Sequence, residues 1–137
     1  MSLNDEERYQ VVSYRLEKAD NTLHDAEKVI EMRMWNTGAN RLYYAAYYAV
    51  SALLIANGIG AKTHEGIIRM FNQMFVATGK IDRELGRQYN GLFTMRLTGD
   101  YGDCFDLQEE DVVVKVEPTR KLIAEVSQMA RKAIHVN

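Results

Sequence analysis

The sequence predicts an all-α chain, an antiparallel up-and-down bundle of four to five helices. Apolar residues recur three and four positions apart through most of the chain, as one buried helix face requires. Glycines and short polar clusters cut that pattern into blocks, and the 137 residues contain a single Pro. The β-branched run Val112-Val113-Val114 has strand character, but the long helical pattern that follows favours helix.

The first block spans about Asp5 to Met34, with the stripe Tyr9, Val12, Leu16, Ala19, Leu23, Ala26, Ile30. Asn4 with Glu7 three residues on makes a capping box at its start. The cluster Trp35-Asn36-Thr37-Gly38 is expected to stop it. The second block, about Ala39 to Asn57, is apolar nearly all round, which marks a central helix, and Asn57-Gly58-Ile59-Gly60 ends it. Thr63 is placed to cap a third helix whose stripe is Ile67, Phe71, Met74 and Phe75, with Thr78-Gly79 at its end. A fourth helix begins near Asp82 and carries Leu85, Tyr89, Leu92 and Arg96 on one face. Gly99 and Gly102 are read as bracketing a loop. The last block, about Glu109 to His135, has the stripe Val112, Val116, Thr119, Ile123, Val126, Ala130, Ala133, with Asp106 and Glu109 as capping candidates. Pro118 either kinks that helix or marks its true beginning.

The length fits one domain, residues 1–137, in which about two-thirds of the chain's surface can be buried. With 47% hydrophobic and 26% charged residues, the composition argues against disorder. One Cys cannot form an internal disulfide. The N-terminus is acidic and polar, unlike a signal peptide, and the longest apolar stretch, Leu42 to Ala56, is too short to span a bilayer. A cytoplasmic protein without a membrane partner is therefore expected. The net charge of −2 is unevenly spread: residues 62–98 carry a net +3 and residues 99–117 a net −6.

Few residues offer chemistry. His24, His64 and His135 are far apart and no Glu-x-x-His occurs, so no metal site is expected, and no cofactor motif is present. Cys104 lies in an acidic segment, which raises a thiol's pKa and argues against a nucleophile. Two constellations remain. In the first, Asn40, Tyr44, Tyr47 and Ser51 follow helical spacing and give the central helix a stripe with polar tips; four of the eight Tyr lie between positions 43 and 48. Such phenols either line a groove and stack on bases or complete a core and an interface. In the second, Arg96 continues an apolar stripe inward, with Asp100 one turn later and Tyr101 beside it. An inward Arg is either half of a structural ion pair or a phosphate ligand, since guanidinium matches phosphate bidentately.

Together these segments resemble a known family. Arg41-Leu-Tyr-Tyr-Ala-Ala-Tyr-Tyr-Ala-Val-Ser-Ala-Leu-Leu, Gly58, Lys62-Thr63-His64-Glu65-Gly66, Gly79-Lys80, Leu85-Gly86 and Arg96-x-x-x-Asp100-Tyr101 are similar, in order and spacing, to the small stand-alone prokaryotic branch of the HEPN domains. The likeness covers about residues 10–135. It implies a bundle of four or five helices that dimerises and, in many members, a toxin-like partner of a minimal nucleotidyltransferase. Many members are metal-independent RNases with an Arg-x4–6-His motif. In some pairs a Tyr beside that motif is modified by the transferase. Here Arg96 matches the motif Arg, but Tyr101 stands where the His belongs, so the catalytic motif is degenerate.

The resemblance thus implies a homodimer that binds RNA or a nucleotide through Arg96, Asp100, Tyr101, Asn40, Tyr44 and His64, beside a nucleotidyltransferase in a toxin–antitoxin-like pair. Two alternatives stay open. One is an RNase using Arg96 with Tyr101 or His64. The other is a non-catalytic helical interaction module with a structural Arg96.

Overall fold

A computed structural model describes residues 3–102 and 106–134, and these residues are helical apart from caps and short turns. Cys104 and His135 lie outside the described residues. Helix α1 (Asp5–Glu31) starts at the expected capping box: Asn4 Oδ1 accepts from the Glu7 N–H at 2.8 Å, and the Asn4 N–H donates to Glu7 Oε1 at 3.0 Å. It ends earlier than the pattern predicts. The chain turns through Met32-Arg33-Met34, with Arg33 in the left-handed region at φ 62°.

The cluster Trp35-Asn36-Thr37-Gly38 therefore does not stop α1 but opens α2 (Trp35–Ala56). Gly38 is buried inside the helix, where an added Cβ would lie 2.5 Å from Ile30 Cγ1 on α1. Its role is close approach of two helices rather than chain breaking. As expected, α2 is central. Its alanines, with Leu42, Tyr43, Val50, Leu53 and Leu54, are buried, and it packs against α1, α4 and α6. Gly58, at φ 72°, supplies the left-handed residue that ends it.

Thr63 caps α3 (His64–Phe71), its Oγ1 accepting from the Gly66 N–H at 2.9 Å. A π-helical turn, Asn72–Val76, continues the helix. That wider turn moves the inward position onto Phe75, so Phe75 is buried while Met74 is exposed. Helix α4 (Arg83–Tyr101) follows Asp82, and its face Leu85, Tyr89, Leu92 and Arg96 is buried as predicted. It runs through Gly99 without a break. Gly99 packs closely, since a Cβ there would lie 3.0 Å from Leu107 Cδ1 and 3.4 Å from Asn36 Oδ1. Only Gly102 lies beyond the helix end.

The short helix α5 (Glu109–Val112) is capped by Gln108 paired with Asp111, not by Asp106 or Glu109. Asp106 instead accepts from Asn36 Nδ2 at 3.0 Å, and the Leu107 N–H donates to Asn36 Oδ1 at 3.0 Å. This ties the segment to the start of α2. A 3₁₀ turn, Val113–Lys115, leads into α6 (Val116–Ile134). The valine run is thus helical: Val112 is buried and the next two are exposed. Pro118 sits in the first turn of α6, where a missing N–H leaves no intrahelical bond unmade. The inward stripe of α6 is Thr119, Leu122, Ile123, Val126 and Ala130. Among the described residues no helix is long and apolar enough to cross a membrane.

Candidate functional site

The site lies where α2, α4 and the first turn of α3 meet. Arg96 reaches it because it occupies the next inward position after Leu92, and it is only 8% exposed. Three rings hold its guanidinium: the centroids of Tyr43, Tyr44 and Phe93 lie 5.1, 5.5 and 5.7 Å away. Its Nη1 donates to Tyr44 Oη and to Asp100 Oδ2, each at 3.4 Å. Charge-assisted bonds are ordinarily about 2.7–2.9 Å, so this contact is loose and uses one nitrogen only. The buried Nε has no hydrogen-bond partner among the described residues. Arg96 therefore keeps donor capacity that its own carboxylate does not consume.

Asp100 is shared. Its Oδ2 also accepts from Asn40 Nδ2 at 3.1 Å. Asn40 is fixed in turn by Arg41, whose Nε and Nη2 donate to Asn40 Oδ1 at 3.0 and 2.7 Å. The Arg41 guanidinium lies over the Tyr44 ring at 5.4 Å. Two arginines thus flank Tyr44, with Asn40 and Asp100 between them.

His64 enters from α3, fixed by the Thr63 cap. Its ring stacks on Tyr47 at 4.8 Å, and its Nδ1 lies 2.5 Å from Tyr43 Oη. Burial, then the nearby Arg96 charge, hold the imidazole below its ordinary pKa, and Glu65 opposes them only in part. Burial likewise pushes the Tyr43 phenol far up. Both partners of the Tyr43–His64 bond are therefore neutral at pH 7, and either ring tautomer satisfies it. Tyr43 also stacks on Tyr89 at 6.0 Å, which anchors the cluster in the core.

Of the residues named from sequence, the structure brings Arg96, Asp100, Asn40, Tyr44 and His64 together. Tyr101 stands apart. It is the last residue of α4, 70% exposed, five positions after Arg96 and so about 140° around the helix from it. The stripe Asn40, Tyr44, Tyr47, Ser51 divides: its first two members reach the Arg96 side, Tyr47 stacks on His64, and Ser51 accepts from Arg15 Nη1 at 3.0 Å. Arg41 and Tyr43 lie in the tyrosine-rich run read from sequence but were given no role there, and Phe93 was not named. Phe93 precedes Arg96 by three positions, a spacing that places both on one face. Among the described residues no group of His, Cys, Asp and Glu is arranged to hold a metal ion.

The family model for the HEPN domain matches residues 12–130. The chain belongs to the HEPN family. Its HEPN fold carries this cluster within the matched region. A Thermotoga maritima protein named "UPF0332 protein" is 41% identical over 106 residues, covering 77% of this chain and 80% of its own length. Two Methanocaldococcus jannaschii proteins are also similar. "Putative toxin MJ0142" is 31% identical over 70% of this chain and 65% of its own length. "Putative toxin MJ0605" is 30% identical over 69% of this chain and 71% of its own length.

Proposed function

We propose that this HEPN chain is a cytoplasmic, toxin-type protein that binds RNA through Arg96 and works as a homodimer beside a minimal nucleotidyltransferase. The observation that carries the reading is the ring-held Arg96 whose single carboxylate contact is loose and shared with Asn40. A phosphate offers several acceptor oxygens to that fork. Asp100 has a second donor in Asn40, so a phosphate taking its place at Nη1 does not strand the carboxylate. The net +3 of residues 62–98 favours a polyanion there. The names of the two archaeal relatives supply the toxin half of the reading. The pairing with a transferase rests on family resemblance.

The RNA test is binding of a labelled single-stranded RNA to wild type and to Arg96→Lys. Lysine keeps the charge but loses the fork, so affinity is expected to fall at least tenfold. Equal affinities exclude Arg96 as the phosphate ligand. The pairing test is co-purification with a transferase encoded beside this chain, and its absence from the complex refutes that half. Tyr101, being exposed, is reachable by such a transferase; incubation of the pair with ATP would add a nucleotide's mass to Tyr101.

One observation favours a second reading, a metal-independent RNase: His64 shares the aromatic cluster of Arg96 and is neutral at pH 7. In that chemistry the 2′-oxygen attacks phosphorus as the P–O5′ bond breaks. Arg96 balances the phosphate charge, and His64 passes the proton from the 2′-hydroxyl toward the 5′-oxygen. RNA cleavage in EDTA that is lost in His64→Gln supports it. Cleavage equal in wild type and His64→Gln rules His64 out.

A further inference from the structure

A second feature lies on the other side of Tyr47. Helices α1 and α2 leave a groove of about 450 Å³ between them, within the range typical of small-molecule sites. Tyr14, Tyr47 and Tyr48 line it with Arg15 and Lys18, and no carboxylate does. That is unusual on α1, whose other charged residues are mostly acidic. Among the described residues neither Arg15 nor Lys18 forms an ion pair. Arg15 bonds Ser51 Oγ, and the Lys18 ammonium lies over the rings of Tyr48 and Tyr14 at 4.9 and 5.8 Å. Tyr14 is 63% exposed, so its ring is free to meet a ligand.

The groove is linked to the Arg96 cluster by side-chain contacts through Tyr47. Arg15 and Tyr47 also line a neighbouring hollow of about 260 Å³ that reaches Lys62. The ring of Tyr47 stacks on His64, which lies against Tyr44, the ring that bonds Arg96.

We infer that the α1–α2 groove is a base-stacking subsite for a nucleotide of the same single-stranded RNA that Arg96 engages. Flat, flexible-stemmed and positively charged surroundings suit a ligand with a π-face and an adjoining phosphate. A base slides against Tyr14 and Tyr48 while the Lys18 ammonium, on its rotatable stem, turns to the phosphate beside Arg15. An A-form duplex keeps its bases stacked inside and presents no free face to these rings. A second copy of the chain suits the groove less well, because a two-fold contact centred there would bring Arg15 and Lys18 against their own counterparts. This inference rests on the RNA reading of the Arg96 site.

The test uses fluorescein-labelled decaadenylate and a duplex RNA of equal length, with wild type, Tyr14→Ala, Lys18→Ala and Arg96→Lys. Tyr14 and Lys18 are exposed, and melting curves establish that both variants are folded. The expected result is single-strand affinity weakened roughly 5- to 100-fold by Tyr14→Ala. Lys18→Ala is expected to flatten the logarithmic salt dependence by about 0.7. Duplex affinity should be the same in wild type and Tyr14→Ala. Groove variants that bind single strands like wild type, while Arg96→Lys loses affinity, overturn the subsite and leave the Arg96 reading standing. A wild type that binds neither RNA overturns both. A groove variant that turns a dimer into a monomer in light scattering, with unchanged single-strand affinity, assigns the groove to a second copy and overturns the subsite.

Discussion

Two arginines on different helices show how differently the same side chain is used. Arg120, on α6, is half-exposed and is paired with Glu27 on α1 and Glu117 one turn before it. Its charge is answered by two carboxylates on the surface. Arg96, on α4, is buried among three rings, and its one carboxylate is 3.4 Å away and shared with Asn40. The first arrangement is a surface clasp, which contributes little to stability because water screens it. The second desolvates a cation without fully pairing it, a costly arrangement that the proposed phosphate would complete. On the proposed function, the contrast separates structural charge from charge held ready.

The largest expected effect is on the base of the Arg96 cluster. Tyr43→Ala removes the ring beneath the guanidinium, the stack on Tyr89 and the bond to His64, and should cost about 3–5 kcal/mol in denaturant unfolding. A loss under 1 kcal/mol would mean that the rings do not build the site. Tyr43→Phe keeps the rings but leaves His64 Nδ1 without its partner, and about 1–2 kcal/mol is expected.

The His64 shift gives a smaller, pH-dependent effect. A histidine whose folded pKa lies below its ordinary value of 6.5 takes up a proton more readily when unfolded. Stability from this group is therefore complete above about pH 6.5 and is lost as pH falls toward the folded pKa. Unfolding midpoints between pH 7.5 and 5 should drop, and His64→Gln should reduce the drop. An identical drop in that variant would assign it to other groups. Smallest of all is Arg120→Ala, expected to cost 1 kcal/mol or less and to leave RNA affinity unchanged. A larger cost would erase the contrast between the two arginines.

How much of this was legible in the sequence follows from range. Leu85, Tyr89, Leu92 and Arg96 sit three and four apart, and helical periodicity alone turns Arg96 inward. Asn40 and Tyr44 share a face for the same reason. The end of α1 was misread because Gly38 beside polar residues looks like a breaker, whereas it is the contact at which Ile30 packs on α2. Gly99 was misread likewise: whether a glycine ends a helix or admits a neighbour depends on a partner distant in sequence. The position of His64 beside Arg96 is tertiary, set by how α3 enters against α2 and α4, and no local pattern carries it. Tyr101 keeps the motif's place in the sequence but not the face of Arg96. Its spacing from Arg96 fits a family motif, yet five residues along a helix is off the face that four residues keep, and Asp100 is the neighbour that meets Arg96.

The central claim is that Arg96 is held for a ligand rather than for the fold. Arg96→Met, similar in length and apolar, tests it most directly when unfolding free energy and single-stranded RNA affinity are measured on the same preparation. The account predicts stability unchanged or raised, with affinity lowered roughly 100-fold or more. Stability lowered by several kcal/mol with RNA affinity unchanged would contradict it and make Arg96 a structural residue.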